Sequence, residues 1–337
     1  MIPQSTGWQY LRSLSLDAIP TGTKVFYTRA VALHEWRRNG AFTVVSCTKK
    51  EVVLEAAAVE IGAALLSDTE YLLDHAAEHR ATLHDAVIRT TWHSPAWTLV
   101  TTYYWAFFSI LALTRMTGRS VWFLDKAAIA ELKSLASAAD QPGAGALNLS
   151  LEPYISSTIR RIHLHPSNTQ LHDAVWRTAH HLISDVFGHA DKSNLLEYQL
   201  WQTMKAVGDK FGADWPSKLR NAVNYRPGYG YREVTQLGQI DMAHNMRLHT
   251  PGTINQLLNT LEQQAIAVQK LKEPSEDPRL FSQILGTFAI MVSAILETLH
   301  AEVLDRQGSD RRWRTQRNRF LTERCRTSME TVWPFSE

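Results

Sequence analysis

Cysteine is nearly missing from this chain: 337 residues hold only Cys47 and Cys325. Neither has the CxxC spacing of a zinc or redox site. A disulfide framework is excluded, and the expected compartment is reducing. Glycine and proline are also scarce, 28 residues together, well under the average share of about 12%. Turn-rich all-β and collagen-like folds are therefore disfavoured. No excess of one charge exists either: 35 basic residues face 33 acidic ones for a net +2, so composition demands no polyanionic partner. Glycine-rich phosphate loops are absent. There is no G-x-x-x-x-G-K-[ST] and no G-x-G-x-x-G after a strand, and no G-x-S-x-G elbow occurs. Met1 to Tyr10 has no basic stretch followed by an apolar run, so the expected location is the cytoplasm.

Long apolar runs are limited to two. Ser94 to Thr114 and Leu280 to Leu296 carry no charge, and the first is long enough to cross a bilayer. Both contain polar residues at helical spacing: Thr98, Thr102 and Ser109 in the first, Ser282, Gln283, Thr287 and Ser293 in the second. They read as central helices of a bundle rather than membrane spans, and no membrane partner is expected.

What is present is a 3.6-residue period with well-marked starts. Thr48-Lys49-Lys50-Glu51 reads as a capping box opening a helix to about Ile88. Ser94-Pro95 places a cap and then Pro at the first helical position. Asp125, Ser167-Asn168-Thr169-Gln170, Asp214, Thr250-Pro251 and Asp277-Pro278 open further helices, and Lys24 to Arg38 reads as helix too. Between Gln141 and Pro166 the pattern changes. Leu147, Leu149 and Leu151 alternate with polar residues, and Ile159, Ile162 and Leu164 follow. This predicts a two-stranded hairpin.

The expected fold class is therefore mainly α, a multi-helix bundle of about ten helices with one small inserted β-hairpin. Residues 1–47 form a helical lead-in, 48–306 the bundle with its hairpin near 145–165, and 307–337 a basic C-terminal helix or tail. The core is expected to draw on Trp97, Tyr104, Phe108, Leu111, Ile284, Phe288, Met291 and Ile295.

The tail holds the clearest charge asymmetry. Seven arginines between 311 and 326 face only Glu323, giving +6 against −4 for the remainder. Trp313 and Phe320 interleave them, as on nucleic-acid surfaces. Arg312, Arg317 and Arg319 are candidate nucleic-acid contacts; the alternative is a solvated helix pairing with the acidic body.

Fourteen histidines invite metal readings. His75-Ala76-Ala77-Glu78-His79 matches H-x-x-E-H, but Asp74, Arg80, His84 and Asp85 make it a charged face. His84-Asp85 and His172-Asp173 are doublets of the kind helical metal phosphohydrolases use. They lack the apolar run and trailing glycine that embed that motif. His163 and His165 share one side of the predicted hairpin, where two exposed strand histidines are expected. No metal ligands and no cofactor are assigned.

One segment stands out. Leu219 to Arg232 packs Arg220, Arg226 and Arg232 with Tyr225, Tyr229 and Tyr231 around Pro227-Gly228. The residue before Pro avoids the α region, so a helix should end near Arg226. Pro227-Gly228 suits the centre of a type II turn. Such a loop displays groups suited to phosphate contact and base stacking, or it packs between helices with its arginines on carboxylates.

Trp97 to Leu113, with Tyr103-Tyr104-Trp105-Ala106-Phe107-Phe108, resembles the aromatic helix of HEPN-type bundles. Arg220-Asn221 and Tyr225 resemble the Arg-polar motif that opens a late helix in that family, and the resemblance spans about Thr48 to Leu271. It implies an all-α, often homodimeric protein of bacterial defence or toxin–antitoxin systems, RNA-binding or a metal-independent ribonuclease. The implied catalytic residues are Arg220, Asn221 and Tyr225, with Arg226, Tyr229 and Arg232 as RNA contacts. The sequence departs from the pattern at one point: family members place a His a few residues after the Arg, where this chain has Tyr225, Arg226 and Pro227. A tyrosine is a poor base at neutral pH. A distant His such as His244 or His249 would have to serve. Arg160 has His165 at the right spacing, but on the hairpin. Two other readings stand beside this one: a non-enzymatic helical scaffold binding a protein partner, and a metal-dependent hydrolase using the histidine-rich face.

Overall fold

The protein is described by a computed structural model covering residues 5–24, 32–89, 94–152, 158–225, 254–272 and 277–307. In chain order the elements are α1 (Thr6–Ala18), α2 (Ala32–Arg38), β1 (Phe42–Cys47), β2 (Val52–Ala57), α3 (Ala58–Arg89) and α4 (Pro95–Met116). Then come β3 (Arg119–Leu124), α5 (Lys126–Leu135), β4 (Gly145–Leu151), β5 (Ile159–Pro166), α6 (Leu171–His189) and α7 (Leu195–Phe211). The last are α8 (Trp215–Tyr225), α9 (Ile254–Lys270) and α10 (Pro278–Arg306).

The described residues are 67% helical and hold ten helices, but the expectation of a single small hairpin is overturned. The five strands form one antiparallel sheet in the order β1-β2-β5-β4-β3. The predicted β4–β5 pair is present, with Leu149 opposite Leu164 and Leu151 opposite Ile162. It is the middle of the sheet rather than an insertion on a bundle.

The misreading has a local cause at Thr48. Its hydroxyl accepts from the amides of Lys50 and Glu51 and lies 3.2 Å from the Glu51 carbonyl. Those contacts close the β1–β2 turn. A threonine capping free amides serves a hairpin as well as a helix start, and α3 begins only at Ala58. The division placed after residue 47 falls in this turn.

One sheet face is apolar. Val52, Leu54, Trp122, Leu124, Leu147, Leu149, Ile162 and Leu164 are buried there with Trp36 of α2 and Ile129 and Leu132 of α5. The helical cluster lies apart from it, centred on α4, which packs against α3, α10, α6 and α8. The helix starts at Ser94-Pro95, Asp125 and Asp277 carry the expected caps: Ser94 accepts from the Trp97 amide, Asp125 from Ala128 and Asp277 from Leu280.

The faces of α4 are the reverse of expectation. Thr98, Thr102 and Ser109 are buried, whereas Tyr104, Phe108 and Leu111 are half-buried and Trp97 is 69% exposed. The hydroxyls are satisfied locally, which lets them go inside. Thr98 and Thr102 donate back to the carbonyls of Ser94 and Thr98. Ser109 and the Trp105 indole both reach Ser293 on α10 at 2.9 Å. Ile284, Met291 and Ile295 of α10 are core residues as expected. Both α4 and α10 are long and apolar enough to cross a membrane; 67% and 83% of their apolar windows are buried inside the protein.

The helical and sheet modules meet where α6 packs on β3 and β4 and, beside that, at a buried ion pair. Asp68 of α3 sits 3.4 Å from Arg115 Nε of α4. Asp68 Oδ1 also accepts from the amides of Ala32 and Leu33, closing the start of α2, and Arg115 donates to Ser120 on β3. Burial pushes the Asp68 carboxyl up; Arg115 and the two amides oppose it. Removing one partner strands the other charge inside the protein. We expect Asp68→Ala to cost about 3–5 kcal/mol in urea denaturation. The apolar double variant Asp68→Leu/Arg115→Met should be markedly less destabilised. Equal losses would show that the charge pairing is not what matters.

Candidate nucleic-acid interface

The buried stripe of α8 is Trp215, Leu219, Ala222 and Val223. Arg220 lies beside this stripe and is half-buried, whereas Asn221 is exposed and Tyr225 is 73% exposed. Asn221 and Tyr225 are one turn apart on the outer face; Arg220 points elsewhere. The three residues expected to form one catalytic group are thus split in two. Arg226, Tyr229, Arg232, Arg312, Arg317 and Arg319 lie outside the described residues, as do His244 and His249.

Arg220 has found different company. Its guanidinium lies 5.2 Å from the Tyr103 ring centroid, and its Nε is buried with no hydrogen bond among the described residues. The Tyr103 hydroxyl accepts from Trp176 Nε1 at 3.2 Å. It lies 2.7 Å from His172 Nδ1 and 3.4 Å from Ser217 Oγ. Three elements build the cluster: α4 supplies Tyr103, α6 supplies His172 and Trp176, and α8 supplies Ser217 and Arg220. Burial raises the Tyr103 pKa; Ser217, Trp176 and Arg220 pull the other way. Burial lowers the His172 pKa first and the Arg220 charge lowers it further, with Asp173 opposing. His172 is therefore a neutral imidazole at neutral pH, set beside a fixed positive charge.

The cluster is one end of a strip of rings. Tyr71, His75 and His79 recur at four-residue spacing on α3, and Tyr104 and Phe108 do so on α4. Tyr71 meets His75 edge-on at 4.5 Å, and His75 stacks on Phe108 at 5.0 Å. His79 lies 5.5 Å from both Phe108 and Tyr104. Tyr104 then meets His172 at 6.3 Å, and His172 stacks on Phe107 at 4.3 Å. His75, His79, Tyr104, Phe108 and His172 are half-buried, so the strip shows ring area to solvent.

The strip accounts for H-x-x-E-H. His75 and His79 spend their rings on Phe108, and no third metal donor gathers with them among the described residues. The side chains of His84 and Asp85 are outside the described set. Arg160 is no partner for His165: it is buried in an ion pair with Asp17, and residues five apart on a strand face opposite ways. Neither a family model, nor a curated protein, nor a solved structure matches this chain.

His172 escaped sequence reading as a partner of Arg220 because 48 residues separate them; only packing joins α6 to α8. Burial also lowers the His79 pKa, with His75 adding to it and Glu78 opposing. Histidines that resist protonation when folded accept it when unfolded. Stability should therefore fall as pH drops below about 6.5, where the unfolded histidines begin to charge. The melting temperature between about pH 5 and about pH 7.5 checks this. His79→Phe should flatten the acid limb, and an unchanged slope would contradict the assignment.

Proposed function

We propose that this chain binds single-stranded RNA along the ring strip and cleaves it without a metal ion, as the HEPN-like ribonucleases it resembles do. The observation that carries the reading is the Tyr103–His172–Arg220 cluster: a neutral imidazole and a guanidinium with a spare buried donor, at the end of a row of rings. Each part has a use. Base–ring stacking tolerates any sequence because every base has a π-face. Arg220 offers a charge-assisted, forked contact to phosphate. The exposed Asn221 and Tyr225 add contacts from the outer face of α8. Arg226, Tyr229 and Arg232 follow in the chain with the same chemistry, and Arg312, Arg317 and Arg319 supply charge for backbone attraction.

The Tyr103 hydroxyl has one proton and two directions for it. Aimed at His172 Nδ1, it leaves the imidazole proton on Nε2. Turned towards Ser217, it accepts from Nδ1–H and frees Nε2 as a base. In that second state Nε2 takes the ribose 2′-OH proton. The 2′-oxygen attacks phosphorus, the bond to the 5′-oxygen breaks, and the leaving oxygen is reprotonated from the imidazolium. Arg220 balances the charge that builds on the phosphoryl oxygens. The product ends are a 2′,3′-cyclic phosphate and a 5′-hydroxyl.

Cleavage of single-stranded RNA in EDTA tests this. We expect His172→Asn to cut the rate about 100- to 10,000-fold with RNA binding retained. Arg220→Ala should weaken both. Cleavage that EDTA abolishes, or that His172→Asn leaves intact, would contradict the mechanism. A wild-type protein that neither binds nor cleaves RNA would favour the partner-binding scaffold instead.

A further inference from the structure

The sheet face opposite the Trp122 core carries a second group of donors. Strand alternation turns His163 and His165 of β5 to one side. Val53 pairs with His163 and Val52 with Leu164; one more step sets Glu51 opposite His165. The Glu51 Oε1 contacts His163 Nδ1 and lies 3.2 Å from His165 Nε2. The ligand atoms of Glu51, His163 and His165 all lie within 4.8 Å of one another. Glu152, at the end of β4, completes the surround, its Oε1 2.7 Å from His163 Nε2.

The geometry points to a divalent transition-metal site here, with Glu51, His163 Nδ1 and His165 Nε2 as its three protein ligands. Two imidazoles and a carboxylate are a donor set that zinc uses with a water in an open position. Glu152 stands where an outer carboxylate orients a ligating histidine through its other ring nitrogen. The charge balance agrees. Glu51, Glu55 and Glu152 face one guanidinium, Arg161, which reaches Glu55 at 2.7 Å and Glu152 at 3.6 Å. Three carboxylates against one guanidinium suit the arrival of a dication. Bound metal would tie the β1–β2 turn to β5. His165 is half-exposed, at 51%, which leaves room for exchange with solvent. The site is in the sheet, on different elements from the ring strip, so it is independent of RNA chemistry at Arg220.

The test uses the full chain stripped with chelator and titrated with zinc by calorimetry, and with cobalt(II) by absorption. We expect His165→Ala to bind one equivalent less than the wild type while keeping its circular dichroism. The tetrahedral cobalt bands and the zinc-dependent rise in melting temperature should vanish with it. Glu51→Gln should behave likewise, and Glu152→Gln should weaken binding about 10- to 100-fold. Equal stoichiometry in wild type and His165→Ala would overturn the site, leaving Glu51 and its histidines as a simple ion-pair cluster. So would a wild type that takes up no metal.

Discussion

A buried carboxylate holds this architecture together. Asp68 is 4% exposed and answers to three elements at once: the guanidinium of α4 and the first two amides of α2, from its own seat on α3. Arg115 carries the connection to β3 through Ser120. The ion pair thereby helps to fix the relative placement of the apolar cluster under the sheet and the one around α4, alongside the packing of α6 on β3 and β4. Hydrophobic burial has no direction and could not set that placement alone. The ion pair contributes direction, because an unpartnered charge inside the protein is expensive.

That placement decides what α4 can display. Its inner face is held by small hydroxyls that bond their own helix or Ser293 of α10. Tyr103, Trp105 and Phe107 are buried, while Tyr104 and Phe108 lie at the rim, where α3 presents Tyr71, His75 and His79. α6 and α8 then deliver His172 and Arg220 to the buried hydroxyl of Tyr103. In the proposed mechanism the proton-transfer group, which spacing along α8 does not supply, comes from a neighbouring helix. Composite sites of this kind are invisible to motifs, which record only residues close in sequence.

The legible parts were those with local causes. Caps at Ser94, Asp125 and Asp277 work as their chemistry dictates, and the alternating leucines of β4 do form a strand. The rest of the sheet is not legible in the sequence because β1, β2 and β3 are six residues each, too short for a period to declare itself, and because Thr48 caps a turn with the same hydroxyl chemistry that would start a helix. The polarity of α4 misled for a related reason: a threonine that returns its proton to the preceding turn behaves as an apolar residue. Arg220 is a candidate from its motif alone. His172 stands in the sequence only as half of a His-Asp doublet; its pairing with Tyr103, 69 positions away, comes from the fold.

The most direct measurement is where RNA touches the protein. A single-stranded RNA carrying 4-thiouridine, photo-crosslinked to the intact chain and mapped by mass spectrometry, reports this without requiring turnover. Crosslinks on the α3 and α4 ring strip, at His79, Tyr104 or Phe108, with a second group near Arg220, are the predicted result. Crosslinks confined to other faces of the fold, with the strip and α8 unlabelled, would contradict the account.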